Sequence, residues 1–255
     1  MSKNNQENQK IADKVAYVTG GMGGIGTAIC QGLAQDGFKV ISACSPNREP
    51  SVWIEEQKKL GFDFSASIID VESFKSCQKA INDVIEQYGN ISVLVNNAGI
   101  TKDASFRKMS FQEWNDVINT NLNSLFNVTK HVVESMISQN HGRIINISSV
   151  NGQKGQFGQT NYSAAKAGMH GFTMALAQEL ASKGITVNTI SPGYIATEMV
   201  QKIEQTILDK IIATIPAKRL GLPQEIASLV SWLASSNAGF ATGGNFPING
   251  GLHMC

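Results

Sequence analysis

Short apolar runs, separated by stretches in which apolar residues recur every three to four positions, set the rhythm of this chain. Val15-Ala16-Tyr17-Val18, Lys39-Val40-Ile41-Ser42-Ala43-Cys44, residues 62–69, Ile91-Ser92-Val93-Leu94-Val95, residues 143–148, residues 185–190 and Phe246-Pro247-Ile248 read as strands. The run at 91–95 is nearly continuous in apolar residues, the mark of a strand covered on both faces in a parallel sheet. Helical spacing is seen at 27–35 and 73–88, in a long helix opened by the capping-box pattern Ser110-Phe111-Gln112-Glu113, in the Ala/Gly-rich run after Tyr162, and at 198–214. Pro223 opens a further helix through Leu233. Strands alternating with helices predict an α/β fold with a doubly wound, mostly parallel sheet. No linker or repeat divides residues 14–255, so one domain is expected there, behind a flexible polar tail at 1–13.

Composition narrows the function classes. The 255 residues are 42% hydrophobic, enough for a sizeable core, and 21 basic against 20 acidic side chains show no surface for nucleic acid. Cys30, Cys44, Cys77 and Cys255 lack the spacing of a metal site or redox pair and read as free thiols in a reducing compartment. His131, His141, His170 and His253 show no ligand spacing either, so no metal is expected. No apolar run approaches the ~18 residues that span a bilayer. With no signal core at the polar start, a cytoplasmic protein is expected.

Four strand ends carry candidate cofactor chemistry. After the first come Thr19, Gly20, Gly21, Met22, Gly23, Gly24, Ile25 and Gly26, leading into a helix. Glycines there let the backbone approach a pyrophosphate, and the helix start offers unpaired N–H groups, the arrangement that binds a dinucleotide. The second strand ends at Ser45-Pro46-Asn47-Arg48 with no Asp or Glu to accept from ribose hydroxyls. Arg48, with Ser45 and Asn47, suits a 2′-phosphate instead, which predicts NADP(H) rather than NAD. Asp70 and Val71 end the third strand near the expected adenine position, and Asn97, Ala98, Gly99, Ile100 and Thr101 follow the fourth.

Tyr162 and Lys166 are four apart and share one helix face, with Ser149 just beyond the preceding strand. A phenol near pKa 10 is a poor acid at neutral pH, and a neighbouring ammonium would favour the phenolate. Lowering that pKa by two or three takes roughly 3 to 4 kcal/mol. The bland alternative is an amphipathic helix with a snorkelling lysine. Asn121, polar among apolar neighbours, is either a satisfied buried amide or a hydrogen-bonding post. The turn Pro192-Gly193-Tyr194-Ile195, at the end of another strand, points toward the ligand crevice of an open α/β sheet.

Thr19-Gly20-x-x-x-Gly24-x-Gly26, Asn96-Asn97-Ala98-Gly99, Asn121, Ser149, Tyr162-x-x-x-Lys166 and Pro192-Gly193 stand in the order and spacing of the short-chain dehydrogenase/reductase family, which the chain resembles over 14–255. Within it, the text at 20–30 and 148–165 is most similar to the branch that reduces acetoacetyl-CoA for polyhydroxybutyrate synthesis. The resemblance implies a seven-stranded Rossmann sheet, a homotetramer and NADPH-dependent reduction to the (R)-3-hydroxyacyl thioester. It makes Tyr162 the proton donor and Ser149 the partner of the carbonyl oxygen. Lys166 becomes the cation that lowers the phenol pKa and holds the nicotinamide ribose, and Asn121 the post for a proton-relay water. Gln156, Phe157 and Gln159, between serine and tyrosine, would meet the acyl substrate with Tyr194 and Asp103; a rigid polar loop is the plainer reading of that segment. Lys102, Arg107 and Lys108 are candidates for the CoA phosphates or simply solvated charges. A reductase of acyl-carrier-protein thioesters and a non-catalytic scaffold of the same fold are the competing functions.

Overall fold

The computed structural model describes residues 14–197, 200 and 204–254, so the expected tail at 1–13 and the start of the helix expected at 198–214 lie outside the described residues. Seven parallel strands form one sheet: β1 (Val15–Thr19), β2 (Lys39–Cys44), β3 (Ser65–Ile68), β4 (Ile91–Asn96), β5 (Gly142–Ile147), β6 (Ile185–Pro192) and β7 (Asn245–Ile248). Their order across the sheet is β3-β2-β1-β4-β5-β6-β7. The chain winds outward from β1 through β2 to β3, then returns to lay β4 against the other edge of β1. Loops leaving β1 and β4 therefore diverge to opposite faces, and the gap between them opens at the carboxyl ends of the strands.

Both faces of the sheet are covered. On one, Ala16 and Val18 of β1 and Val93 and Val95 of β4 pack with Ile29 and Leu33 of α1 (Gly24–Gln35), Trp53 of α2 (Ser51–Lys59) and residues of a late helix, Pro223–Ala234. On the other, Val15, Tyr17, Ile91 and Leu94 meet Ile81 of α3 (Phe74–Tyr88) and Val128 and Val132 of the Ser124–Gln139 helix. They also meet Ala177 and Leu180 of the Thr160–Leu180 helix. This two-sided burial is why the strands read as apolar runs without polar alternation.

Among the described residues the remaining longer helices are α4 (Phe111–Ile118), α5 (Ser124–Gln139), α6 (Thr160–Leu180), α7 (Gln205–Thr214) and α8 (Pro223–Ala234), with a single helical turn at Asn151–Lys154 before α6. Ser110 caps α4 through the expected capping box with Glu113. Two expectations are corrected. The long helix after Ser110 is broken by a π-helical turn at Asn119–Asn123. The third strand is confined to Ser65–Ile68, because Phe62 and Phe64 stack at 5.4 Å and Phe64 on Trp53 at 5.2 Å, drawing the chain before it under α2.

Candidate active site

A crevice of about 830 Å³ runs across the carboxyl ends of the strands, centred on the β1–β4 reversal. Along its walls lie Gly20, Met22, Gly23, Gly24, Ile25 and Gly26 from the first turn, and Arg48, Asp70 and Val71 from the second and third. Asn97, Ala98, Gly99, Ile100 and Thr101 follow β4, and Tyr162, Lys166, Pro192 and Gly193 close the far side. Such a volume sits within the ~300–1,000 Å³ typical of small-molecule sites.

The first turn is shaped by specific bonds. Gly20 has φ +61°, the left-handed region that glycine adopts without strain. Asn97 donates through Nδ2 to the carbonyls of Thr19 and Gly20, both at 3.0 Å, and the Thr19 hydroxyl accepts from the N–H groups of Asn97 and Ala98 at 3.0 and 3.1 Å. The loops after β1 and β4 are thus fixed to each other. At Gly26 a Cβ would stand 2.2 Å from the Gly20 carbonyl oxygen, so only glycine lets α1 start this close to the turn. Gly21 is not among the residues lining the crevice, and a Cβ there would meet the Ser42 hydroxyl at 2.5 Å and the Cys30 sulfur at 3.0 Å.

At the end of β2 the wall is Ala43, Cys44, Ser45 and Arg48, with Arg48 exposed and no carboxylate among these lining groups. Asp70 accepts from the Glu72 N–H at 3.1 Å, which fixes the turn after β3. Sequence reasoning did not single out Ala43, Cys44, Ile69, Glu72, Thr120, Ile147, Ser148 or Thr197 as lining. Strand ends beside the glycine turn were the available signal for most of them, whereas Glu72 and Thr120 come together only through a hydrogen bond across 48 positions.

At the other end of the crevice, strand pairing continues past β5. Ser148 N–H donates to Ile190 at 2.7 Å and Val150 N–H to Pro192 at 2.8 Å, which holds Ser149 beside the end of β6. Ser149 Oγ accepts from the Asn151 N–H at 3.1 Å and shares a hydrogen bond with the Tyr162 hydroxyl. Lys166, 4% exposed, donates from Nζ to the Ile147 carbonyl at 2.7 Å, and its Nζ lies 5.6 Å from the centre of the Tyr162 ring. Asn121 is fully buried; its Oδ1 accepts from the Ile100 N–H at 2.8 Å and its Nδ2 donates to the Ile100 carbonyl at 2.9 Å. The amide thereby clamps the 99–101 loop along the crevice. A Cβ on Gly99 would lie 3.2 Å from Asn121 Oδ1 and 3.5 Å from Lys166 Nζ, so the four residues converge on one place.

The electrostatics depart from the expected picture. Burial pushes the Tyr162 phenol above its ordinary range; the bond to Ser149 offsets this, and the Asp103 carboxylate adds to it. Burial also brings Lys166 down to about 7. Desolvation is thus the largest influence on each group, raising the phenol and lowering the amine.

The residues expected to meet an acyl substrate lie outside the crevice lining. Gln159 donates to Asp103 at 2.8 Å and accepts from Asn151 at 2.9 Å, forming a side-chain chain next to Ser149. Gln156 accepts from Lys154 at 3.1 Å, and Phe157 is 89% exposed rather than a pocket wall. Tyr194 and Ile195 line a separate hollow of about 110 Å³ with Gly221 and Ile248. Ile195 is buried and bridges Gly221, which takes Tyr194 and Ile195 out of the crevice lining before Thr197 returns to it. The Tyr194 phenol is pushed up by burial and by Asp103, so its hydroxyl remains within electrostatic reach of the catalytic end.

Among the described residues no helix is long and apolar enough to cross a membrane. A family model described as short chain dehydrogenase matches residues 14–208. An acetoacetyl-CoA reductase of Cupriavidus necator is 63% identical over 245 residues, which cover 96% of this chain and 100% of that protein. An acetoacetyl-CoA reductase of Allochromatium vinosum is 53% identical over 243 residues, covering 94% and 99%. A 3-oxoacyl-[acyl-carrier-protein] reductase of Vibrio harveyi is 44% identical over 244 residues, covering 96% and 99%.

Proposed function

The chain belongs to the short-chain dehydrogenase family, and from that premise we propose that it reduces acetoacetyl-CoA to (R)-3-hydroxybutanoyl-CoA with NADPH. The observation that carries the reading is the meeting of a Ser149-bonded Tyr162 and a buried Lys166 at one end of a crevice whose other end is a glycine turn. The thioester is chosen on identity: 63% and 53% to acetoacetyl-CoA reductases against 44% to a carrier-protein reductase.

The residues fit a nicotinamide dinucleotide. The Gly20–Gly26 backbone and the start of α1 form a cradle that a Cβ at Gly26 would fill, and Arg48 with Ser45 supplies phosphate donors where an NAD site would have a carboxylate. When bound, the dinucleotide supplies the hydride. Ser149 donates to the substrate carbonyl oxygen, drawing it against Tyr162 Oη. Because burial keeps the phenol protonated at neutral pH, Tyr162 holds the proton that the developing alkoxide takes. Lys166 supports the ribose side of the pocket and, once protonated, stabilises the phenolate left behind. Asn121 holds the 99–101 loop that walls the reacting end. The reading extends to a homotetramer in the cytoplasm serving polyhydroxybutyrate synthesis, and rests there on family resemblance.

The test is NADPH oxidation with acetoacetyl-CoA. Tyr162→Phe should bind NADPH normally and lose about 100-fold or more in kcat. Near-normal turnover would refute the assignment of the proton, and a higher kcat/KM on the carrier-protein thioester would move the substrate to that class.

A further inference from the structure

Helix α6 meets the sheet along a polar seam. Tyr162, Lys166, His170 and Thr173 recur at three- and four-residue intervals and so share one helix face. At its far end, Thr173 accepts from Asn146 Nδ2 of β5 at 2.9 Å and shares a hydrogen bond with Thr189 of β6 at 2.7 Å. Apolar packing is non-directional and lets a helix slide or roll on a sheet, whereas bonds of this length fix its register.

Ser148 is the knot in that seam. Its N–H donates to the Ile190 carbonyl at 2.7 Å and its hydroxyl to the Lys166 carbonyl at 2.8 Å. It is buried and directly precedes Ser149, so one residue ties together the backbones of two reacting groups. His170 Nε2 lies 3.1 Å from the same Ser148 oxygen and 3.4 Å from Ser191 Oγ of β6. A count of protons gives the direction of these contacts, because a hydroxyl carries one hydrogen. Ser148 gives its own to Lys166, and Ser191 gives its own to Asn245 Oδ1 at 2.7 Å. Both oxygens can then only accept from the imidazole, so Nε2 carries the hydrogen. Burial holds the ring below the ordinary histidine range, which keeps it neutral at neutral pH with Nδ1 bare.

We propose that His170 is a positioning residue for the reduction: its Nε2–H holds the Ser148 hydroxyl on the Lys166 carbonyl, and so sets α6 in the register that brings Tyr162 to Ser149. His170 is not part of the crevice lining, whereas Ser148 is. Without that donor the Ser148 hydroxyl is free to turn toward water in the crevice, and the Lys166 carbonyl loses this partner. The role rests on the reductase reading and adds to it the group that keeps the site's geometry.

The test has two independent readouts. In the NMR spectrum of the full chain carrying isotope-labelled histidine, His170, assigned by its loss in His170→Gln, should show a protonated Nε2 and a bare Nδ1. The opposite tautomer would overturn the proposal whatever the activity. In reduction of acetoacetyl-CoA with NADPH, His170→Leu should lose roughly 10- to 100-fold in kcat, the scale of a misplacement of about 1 Å, with the dissociation constant of NADPH within about twofold. His170→Gln, whose amide N–H reaches about as far as Nε2, should recover most of kcat; His170→Asn, whose shorter amide matches Nδ1, should not. Rescue by both or by neither would overturn the role, as would a loss of NADPH binding in step with kcat. In a Ser148→Ala background, His170→Leu should cost little more, because both changes break one chain of bonds, and additive losses would also overturn it. Should His170→Leu fail to fold, Ser148→Ala alone carries the kcat measurement. A wild type inactive on acetoacetyl-CoA refutes the activity and every role in it; an active wild type with any failure above refutes the role of His170 alone.

Discussion

Lys166 is an amine held where water does not reach, with a single oxygen acceptor, the Ile147 carbonyl. In the unfolded chain it stays protonated up to its ordinary 10.5, whereas burial in the fold lowers that to about 7. Between those values the unfolded state binds more protons, so this group's penalty is fully present below about pH 7 and fades as pH rises toward 10.5. Lys166→Met should therefore raise the melting temperature of the ligand-free protein, more at about pH 6 than at about pH 9.5, while removing nearly all turnover. A melting temperature that falls equally at both pH values would show that the amine is not desolvated. The sequence placed Lys166 one turn from Tyr162 correctly, but the direction of the two pKa shifts could not be read from it. That direction depends on how much of β5 and α6 closes over the pair, a tertiary quantity.

Among the elements, α6 is set by Asn161, the residue before the tyrosine. Fully buried, it donates to the carbonyls of Lys102 and Glu113 at 3.0 and 3.1 Å and accepts from the Tyr162 N–H at 2.7 Å. One amide thus ties the start of the catalytic helix to the loop after β4 and to α4. Asn161→Leu removes both of these part-buried bonds and the acceptor of the Tyr162 N–H, at about 1 kcal/mol each. Chemical denaturation should show that loss, together with a fall in kcat larger than any change in the dissociation constant of NADPH. An unchanged kcat would mean that the helix start is fixed by other contacts. The helix start at Ser110 was legible because capping is a local hydrogen bond between near neighbours. The π-helical turn was not legible, because Asn121 reaches Ile100 across 21 positions and no local pattern announces that bond.

For the molecule as a whole, the order of strands decides where chemistry can occur. Reversal at β1–β4 opens the crevice, and β2 then brings Arg48 to the far end from Tyr162. Since the reacting residues are remote from it, Arg48→Ala should raise KM for NADPH by roughly 10-fold or more while leaving NADH kinetics within about twofold. Equal losses on both cofactors would remove the 2′-phosphate role. By itself the sequence determined the alternation of strands and helices, the glycine turn and the spacing of Tyr162 and Lys166, because each is written in residues close together along the chain. Only the tertiary structure decided that Gly21 lies against Ser42 and Cys30, that Tyr194 and Ile195 turn into a separate hollow, and that the loop at Ala104 bonds the loop at Gly158. Those outcomes depend on which distant segments share a hydrogen bond or exclude water, and local spacing carries no record of that.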